Sequence, residues 1–125
     1  MEPIRILLVE DNDVYRASLE LLLGMQDGME VVGGVSDGSD AAAVCAQADA
    51  DVVLMDFRLP GLDGAVATRS VLDACPGTAV VCLTAEATEA EDEAVRGAGA
   101  AALVRKGGPI DELVAAIRRA AGAQT

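Results

Sequence analysis

The clearest indication of the architecture is D-V-V-L-M-D-F-R-L-P-G, residues 51–61. Its first part, D-V-V-L-M, is a short and nearly continuous apolar run, which is typical of a strand buried on both faces of a parallel sheet. The run ends in Asp56, and a turn signal follows at Pro60-Gly61. An acid between such a strand and a phenylalanine does not have the polar neighbours that are typical of an exposed surface residue. Asp56 is therefore the first candidate for chemistry.

Similar patterns extend outward from this segment in both directions. Four more apolar runs lie at residues 4–9, 30–35, 78–83 and 101–104. Segments long enough for helices lie at 13–26, 39–48, 63–74, 86–98 and 109–121. This alternation predicts an α/β domain built of βαβ units, with a five-stranded parallel sheet covered on both faces. Right-handed crossovers and adjacent first and third strands give the strand order 2-1-3-4-5.

Composition narrows the functional classes. The 125 residues are 52% hydrophobic, carry a net charge of −12 and include no histidine. We expect one folded domain that repels nucleic-acid phosphates. No apolar run approaches the roughly 20 residues of a membrane span, and the start lacks a secretory signal, so we expect a cytoplasmic protein without membrane contact. The three cysteines form no C-x-x-C pair, which predicts reduced, mostly buried thiols rather than a zinc site.

The first helix carries two neighbouring stripes, and only one of them can face the sheet fully. One consists of Tyr15, Leu19, Leu22 and Gln26, and the other of Val14, Ser18, Leu21 and Met25. We expect the second stripe to be covered as part of a wide buried face. The alternative is an exposed patch that mediates dimerisation. Asp13 is the best candidate for the N-cap of this helix.

Acidic residues stand at the ends of the first and third predicted strands. Glu10 and Asp11 follow the first strand, and Asp56 ends the third. Because these strands are neighbours, their carboxyl ends meet in one crevice. Three close carboxylates raise one another's pKa values, and a hard divalent cation such as Mg²⁺ relieves that repulsion. The backbone carbonyl of Arg58 is a further candidate oxygen ligand.

Four motifs carry a resemblance to a known family. They are V-E-D-N at 9–12, L-M-D-F-R-L-P-G-L-D-G at 54–64, L-T-A at 83–85 and V-R-K-G at 104–107. Together they resemble the receiver domain of bacterial response regulators, the acceptors of two-component systems. The resemblance implies a flavodoxin-like, doubly wound fold with five helices. It implies a receiver over residues 1–122, with 123–125 as a tail or the start of a linker to an output domain.

The resemblance also implies residue roles. Asp56 is the phosphoacceptor for a sensor histidine kinase, and Glu10 and Asp11 bind Mg²⁺ together with Asp56 and the Arg58 carbonyl. The phosphoryl group is bound by residues after the fourth and fifth strands: the hydroxyl of Thr84, the small Ala85 and the cation Lys106. Phosphorylation then shifts the surface of helix four, strand five and helix five, to control an output domain that regulates transcription.

Two positions depart from the family pattern or tune the site. Leu103 stands where the family usually has the aromatic residue that rotates when the threonine moves. Arg58 and Glu86 occupy positions that tune the access of water, and we expect them to pair across the mouth of the site and slow loss of the phosphoryl group.

Three other functions are alternatives to that of a phosphorylated receiver. A phosphotransferase of the haloacid-dehalogenase type needs a second Asp where this chain has Arg58. A nucleotide-binding glycine loop follows a strand, whereas the segment 97–102 follows a helix. A receiver-like interaction module that is not phosphorylated remains open. The expected partners are a sensor histidine kinase and a second copy of the chain in a homodimer.

Overall fold

The computed structural model describes residues 2–59 and 62–123. Within them, five parallel strands form one sheet in the order β2-β1-β3-β4-β5: β1 (Ile4–Val9), β2 (Met29–Val35), β3 (Val52–Asp56), β4 (Ala79–Thr84) and β5 (Ala102–Arg105). The α-helices of the described ranges are α1 (Asp13–Gly24), α2 (Ala41–Ala48), α3 (Gly64–Ala74), α4 (Glu89–Gly97) and α5 (Ile110–Ala123). A 3-10 turn, Gly38–Asp40, precedes α2, and Arg58–Leu59 pairs antiparallel with Leu62–Asp63. The predicted fold and strand order are confirmed.

The core has two layers because the central strands are buried on both faces. Every residue of β3 is buried, and its side chains alternate between the layers. Val52 and Leu54 pack with residues of α1 and α5. Val53 and Met55 pack with residues of α2, α3 and α4. This double burial is the physical origin of the continuous apolar runs in the sequence.

Helix starts differ from the predicted boundaries because of their caps. The N-cap of α1 is Asn12, whose side-chain oxygen accepts a hydrogen bond from the Tyr15 N–H at 2.9 Å. The prediction that Asp13 caps this helix is therefore wrong; Asp13 is its first residue. Helix α4 begins at Glu89 rather than at 86, since Thr88 provides its cap.

The prediction of a wide buried face on α1 is wrong. Leu19 and Leu23 are buried against the sheet, but Val14 and Met25 of the second stripe are 77% and 72% exposed. Only α1 and α5 contribute helix residues to the core on this face of the sheet within the described ranges, so the outer side of α1 has no helix to cover it. An apolar stripe on the surface is what remains.

The loop after β3 is held close to the start of α3. The Gly64 N–H donates to the Phe57 carbonyl at 2.9 Å, and the Phe57 N–H donates to the Leu83 carbonyl of β4 at 2.7 Å. A Cβ atom on Gly64 would lie 2.6 Å from the Phe57 Cα atom, closer than real contacts allow. Glycine at position 64 thus sets the path of the backbone that leaves Asp56 through Arg58.

The cysteines behave as the sequence predicts. Cys45 and Cys82 are buried, Cys75 is half-buried, and all three are free thiols. Among the described residues, none of the helices combines the length and apolar character needed to cross a membrane.

Candidate functional site

The sheet register brings the acids of β1 and β3 together. Val9 pairs with Met55, so the next residues, Glu10 and Asp56, stand side by side at the carboxyl edge. Both are almost completely buried, at 1% and 4% exposure, whereas Asp11 is exposed. The Glu10 N–H donates to the Val35 carbonyl of β2 at 3.0 Å, which extends the ladder by one residue. The sheet itself therefore positions the site.

The three carboxylates among the predicted metal ligands converge. One carboxylate oxygen each from Glu10, Asp11 and Asp56 lies within 4.8 Å of the others. The Arg58 N–H donates to Asp56 Oδ1 at 3.1 Å, so its backbone also lies at the site. This donor set fits Mg²⁺, which prefers hard oxygen ligands and retains several waters, and exposed Asp11 leaves one side open to solvent.

Lys106 reaches the same carboxylates from the end of β5. Its Nζ atom lies 2.6 Å from Glu10 Oε1 and 3.2 Å from Asp56 Oδ1. Its backbone N–H donates to the Thr84 carbonyl at 2.7 Å, which anchors the lysine to the end of β4. The ammonium also lies 4.9 Å from the centroid of the Tyr15 ring, a cation–π contact for which the sequence carries no local signal.

The pKa values of the two buried acids shift in opposite directions. Burial raises the pKa of Asp56 to about 6, and the negative charge of Glu10 adds to the rise while the Arg58 N–H and Lys106 oppose it. Burial acts in the same direction on Glu10, but hydrogen bonds from Lys106 and the Asn12 N–H prevail and lower its pKa. Burial opposes the charge of Lys106, yet its two acidic partners raise its pKa. Of the two buried acids, Asp56 is the one whose charge is less compensated.

Thr84 lies at the end of β4, 1% exposed. Its hydroxyl donates to Glu91 Oε1 at 2.6 Å and lies 3.2 Å from the Glu86 carbonyl oxygen. Ala85 follows at the exposed mouth of the site. Glu91, in the first turn of α4, was not among the predicted site residues. Its T-x-x-E spacing from Thr88 is a helix-start signal, which indicates a capping role and conceals any role at the site.

Arg58 does not pair with Glu86, so that prediction is wrong. Its guanidinium lies 3.4 Å from Glu91 Oε2, and its side chain is 74% exposed. Glu86 precedes α4 and is exposed, whereas Glu91 lies in the first turn and directs its carboxylate inward. Among the described residues, Arg58 thus has Glu91 rather than Glu86 as its ion-pair partner.

Leu103 packs where the family usually has its aromatic residue. It is half-buried in β5 and contacts the core layer formed with α2, α3 and α4. It also lines a shallow surface cavity together with Thr88 and Glu89 at the start of α4. The start of α4 therefore lies next to this position, where the chain carries the apolar side chain of Leu103.

Comparisons with known proteins agree with this geometry. A protein-family model described as the response regulator receiver domain matches residues 6–118. The chain is 35% identical over 116 residues to the response regulator GacA of Pseudomonas aeruginosa, covering 93% of this chain and 54% of that protein. It is 37% identical over 115 residues to the response regulator UvrY of Escherichia coli, covering 92% of this chain and 53% of that protein.

A solved structure gives the same result at the level of the fold. The two-component response regulator of the LuxR family from Aurantimonas superposes with a TM-score of 0.92 at 29% identity, covering 98% of this chain and 87% of that one. The chain spans about half the length of the curated relatives that it matches.

Proposed function

The chain belongs to the response regulator receiver domain family, and from that premise we propose that Asp56 accepts a phosphoryl group from the phosphohistidine of a sensor histidine kinase. One observation carries the proposal. Asp56 is a buried carboxylate with two further acids and one lysine around it, on the carboxyl edge where open α/β sheets bind ligands.

Asp56 needs no general base. With a pKa of about 6 the carboxylate is mostly ionised at neutral pH, so one of its oxygens attacks phosphorus directly. The new bond joins that oxygen to phosphorus, the phosphorus–nitrogen bond breaks, and the kinase imidazole leaves. Glu10, Asp11, Asp56 and the Arg58 carbonyl would hold Mg²⁺, which would supply positive charge beside the transferred group.

The remaining residues bind the phosphoryl group. Lys106 already lies 3.2 Å from Asp56 and stabilises the charge that the group brings. Thr84 donates its hydroxyl to a phosphoryl oxygen, and the small side chain of Ala85 leaves room for the group. Arg58 and Glu86 tune how water reaches it. The chain catalyses only its own phosphorylation and dephosphorylation.

We infer that the biological output belongs to a separate domain. Added charge at the sheet edge shifts an equilibrium of the surface formed by α4, β5 and α5, and that surface controls an output domain. Since the relatives are about twice as long, we infer that such a domain follows and that it regulates transcription. With a net charge of −12, this chain itself makes no direct contact with nucleic acid. Homodimerisation and a cytoplasmic location stay predictions.

The test is covalent. Purified protein is incubated with a small phosphodonor and Mg²⁺, and intact mass is measured for the wild type and for Asp56→Asn, with EDTA as the metal control. We expect an adduct on the wild type that requires Mg²⁺ and is absent from the variant. No adduct on the wild type would favour the unphosphorylated interaction module, and an adduct that persists in Asp56→Asn would move the site elsewhere.

A further inference from the structure

Glu91 has a role that its sequence context does not reveal. The T-x-x-E motif at 88–91 predicts a reciprocal capping box at the start of α4. Only half of it forms: the Glu91 N–H donates to Thr88 Oγ1 at 3.1 Å. The Thr88 N–H donates instead to the Glu86 carbonyl at 3.1 Å, so the Glu91 carboxylate is not used for the cap.

The carboxylate is directed into the site. Oε1 accepts the Thr84 hydroxyl at 2.6 Å, and Oε2 lies 3.4 Å from the Arg58 guanidinium. Glu91 is only 8% exposed, and its contact with Thr84 is buried. A hydroxyl carries one proton, and a hydrogen bond of this length to a carboxylate is about twice as strong as a neutral one. In this conformation the proton of Thr84 is committed to Glu91.

We propose that Glu91 is a positioning residue that competes with the phosphoryl group of Asp56 for the Thr84 hydroxyl. The proposal rests on the proposed function, because the competitor exists only when Asp56 is phosphorylated. Binding of the hydroxyl to a phosphoryl oxygen breaks its bond to Glu91. Any energy that Glu91 gains from Thr84 in the unphosphorylated state therefore opposes the phosphorylated one.

The competition also links Asp56 to α4. Once Thr84 leaves, the Glu91 carboxylate keeps the exposed Arg58 as its remaining side-chain partner among those seen here. A buried carboxylate that has lost a donor favours movement of its helix turn toward water. This route from the site to α4 needs no aromatic side chain, and the chain has Leu103 at that position.

The predicted effect is graded. Glu91→Ala removes the competitor, and from the strength of a hydrogen bond to a charged group we expect about tenfold tighter binding of a phosphoryl mimic. The gain in affinity is smaller than the whole energy of that bond, because the Thr84 hydroxyl can still donate to the Glu86 carbonyl, 3.2 Å away. Glu91→Gln retains a weaker, neutral acceptor, so we expect the phosphoryl mimic to bind only about threefold more tightly than to the wild type.

The experiment measures the affinity for beryllofluoride in the presence of Mg²⁺. The chain has one tyrosine, Tyr15, and no tryptophan. Because the Tyr15 ring contacts Lys106, tyrosine fluorescence reports on the site. The matched control is Glu89→Gln, which changes an exposed acid in the same helix turn and should bind as the wild type does. A Thr84→Ala background separates the two possible causes of tighter binding.

The outcomes are distinct. The proposal is supported if affinity rises from wild type through Glu91→Gln to Glu91→Ala, and if Glu91→Ala has no effect once Thr84 is Ala. It is overturned if affinity does not rise, or if it rises equally without the Thr84 hydroxyl, which would indicate an effect of the lost charge or of the helix that does not pass through Thr84. If Glu91→Ala does not fold, the isosteric Gln variant carries the same comparison. Failure of the wild type itself to bind beryllofluoride would overturn the proposed function instead.

Discussion

Replacing Asp56 by Asn removes a buried charge that the metal-free protein compensates incompletely. Burial and the neighbouring Glu10 raise the pKa of Asp56 from 3.8 to about 6. At 1.36 kcal/mol per pKa unit, the charged form costs the folded state about 3 kcal/mol at neutral pH. This cost is already net of the favourable contact with Lys106 at 3.2 Å, which opposes the rise in pKa, and the Asn amide replaces the protonated carboxyl group only imperfectly. We therefore expect Asp56→Asn to raise the free energy of unfolding by about 1–3 kcal/mol in EDTA.

The pH dependence has a definite sign. A carboxyl group with a raised pKa binds more protons in the folded than in the unfolded state between about pH 4 and pH 6. The free energy of unfolding of the wild type therefore falls as pH rises through that window. Asn does not titrate, so the gain from the substitution should be about half as large at pH 5 as at pH 7.5.

The measurement is urea unfolding followed by circular dichroism, in EDTA at both pH values. Asp27→Asn is the matched control, because it also removes one negative charge but takes it from an exposed carboxylate. Saturating Mg²⁺ should shrink the difference, since the ion binds the folded wild type and stabilises it. A neutral or destabilising effect of Asp56→Asn at pH 7.5 would refute the reasoning, and so would an equal gain in Asp27→Asn.

Three further predictions concern other parts of the molecule. Arg58→Ala should shorten the lifetime of the aspartyl phosphate by about two- to fivefold, as expected for loss of a partly exposed ion pair, and an unchanged dephosphorylation rate would contradict its tuning role. Gly64→Ala should destabilise the fold by about 1–3 kcal/mol in urea, because its Cβ meets the Phe57 backbone at 2.6 Å, whereas Gly97→Ala, with open space around it, should not. Iodoacetamide should modify Cys75 first in the native protein, because burial protects Cys45 and Cys82 and raises the pKa of each thiol to about 11; intact mass showing rapid modification of all three would contradict this.

The fold and the main site residues follow from local patterns. Runs such as residues 52–55 are apolar because each side chain contacts one of two core layers, and this is visible without any long-range information. Handedness and strand order then bring Glu10 and Asp56 together, because the carboxyl ends of neighbouring parallel strands share one edge. Periodicity, chirality and residue type are sufficient for that much.

Boundaries and caps were predicted less well. Asn12 rather than Asp13 caps α1, and α4 starts at Glu89. Either acid or amide can cap a helix, and the choice depends on backbone angles that residue type does not specify. The exposed stripe of Val14 and Met25 was missed for a similar reason: helical periodicity identifies an apolar face, but not whether another helix covers it.

The partners of Thr84 and Arg58 required the folded chain. Glu86 and Glu91 are both acids near the site, and only the packing of α4 directs one inward, where it contacts Thr84 at 2.6 Å. The raised pKa of Asp56 likewise depends on burial and on which acid receives the lysine. The amino-acid order establishes which edge of the sheet carries the chemistry, because strand ends follow from patterns along the chain. Competition among donors and acceptors at that edge depends on distances of a few ångströms, and those exist only after the helices have packed.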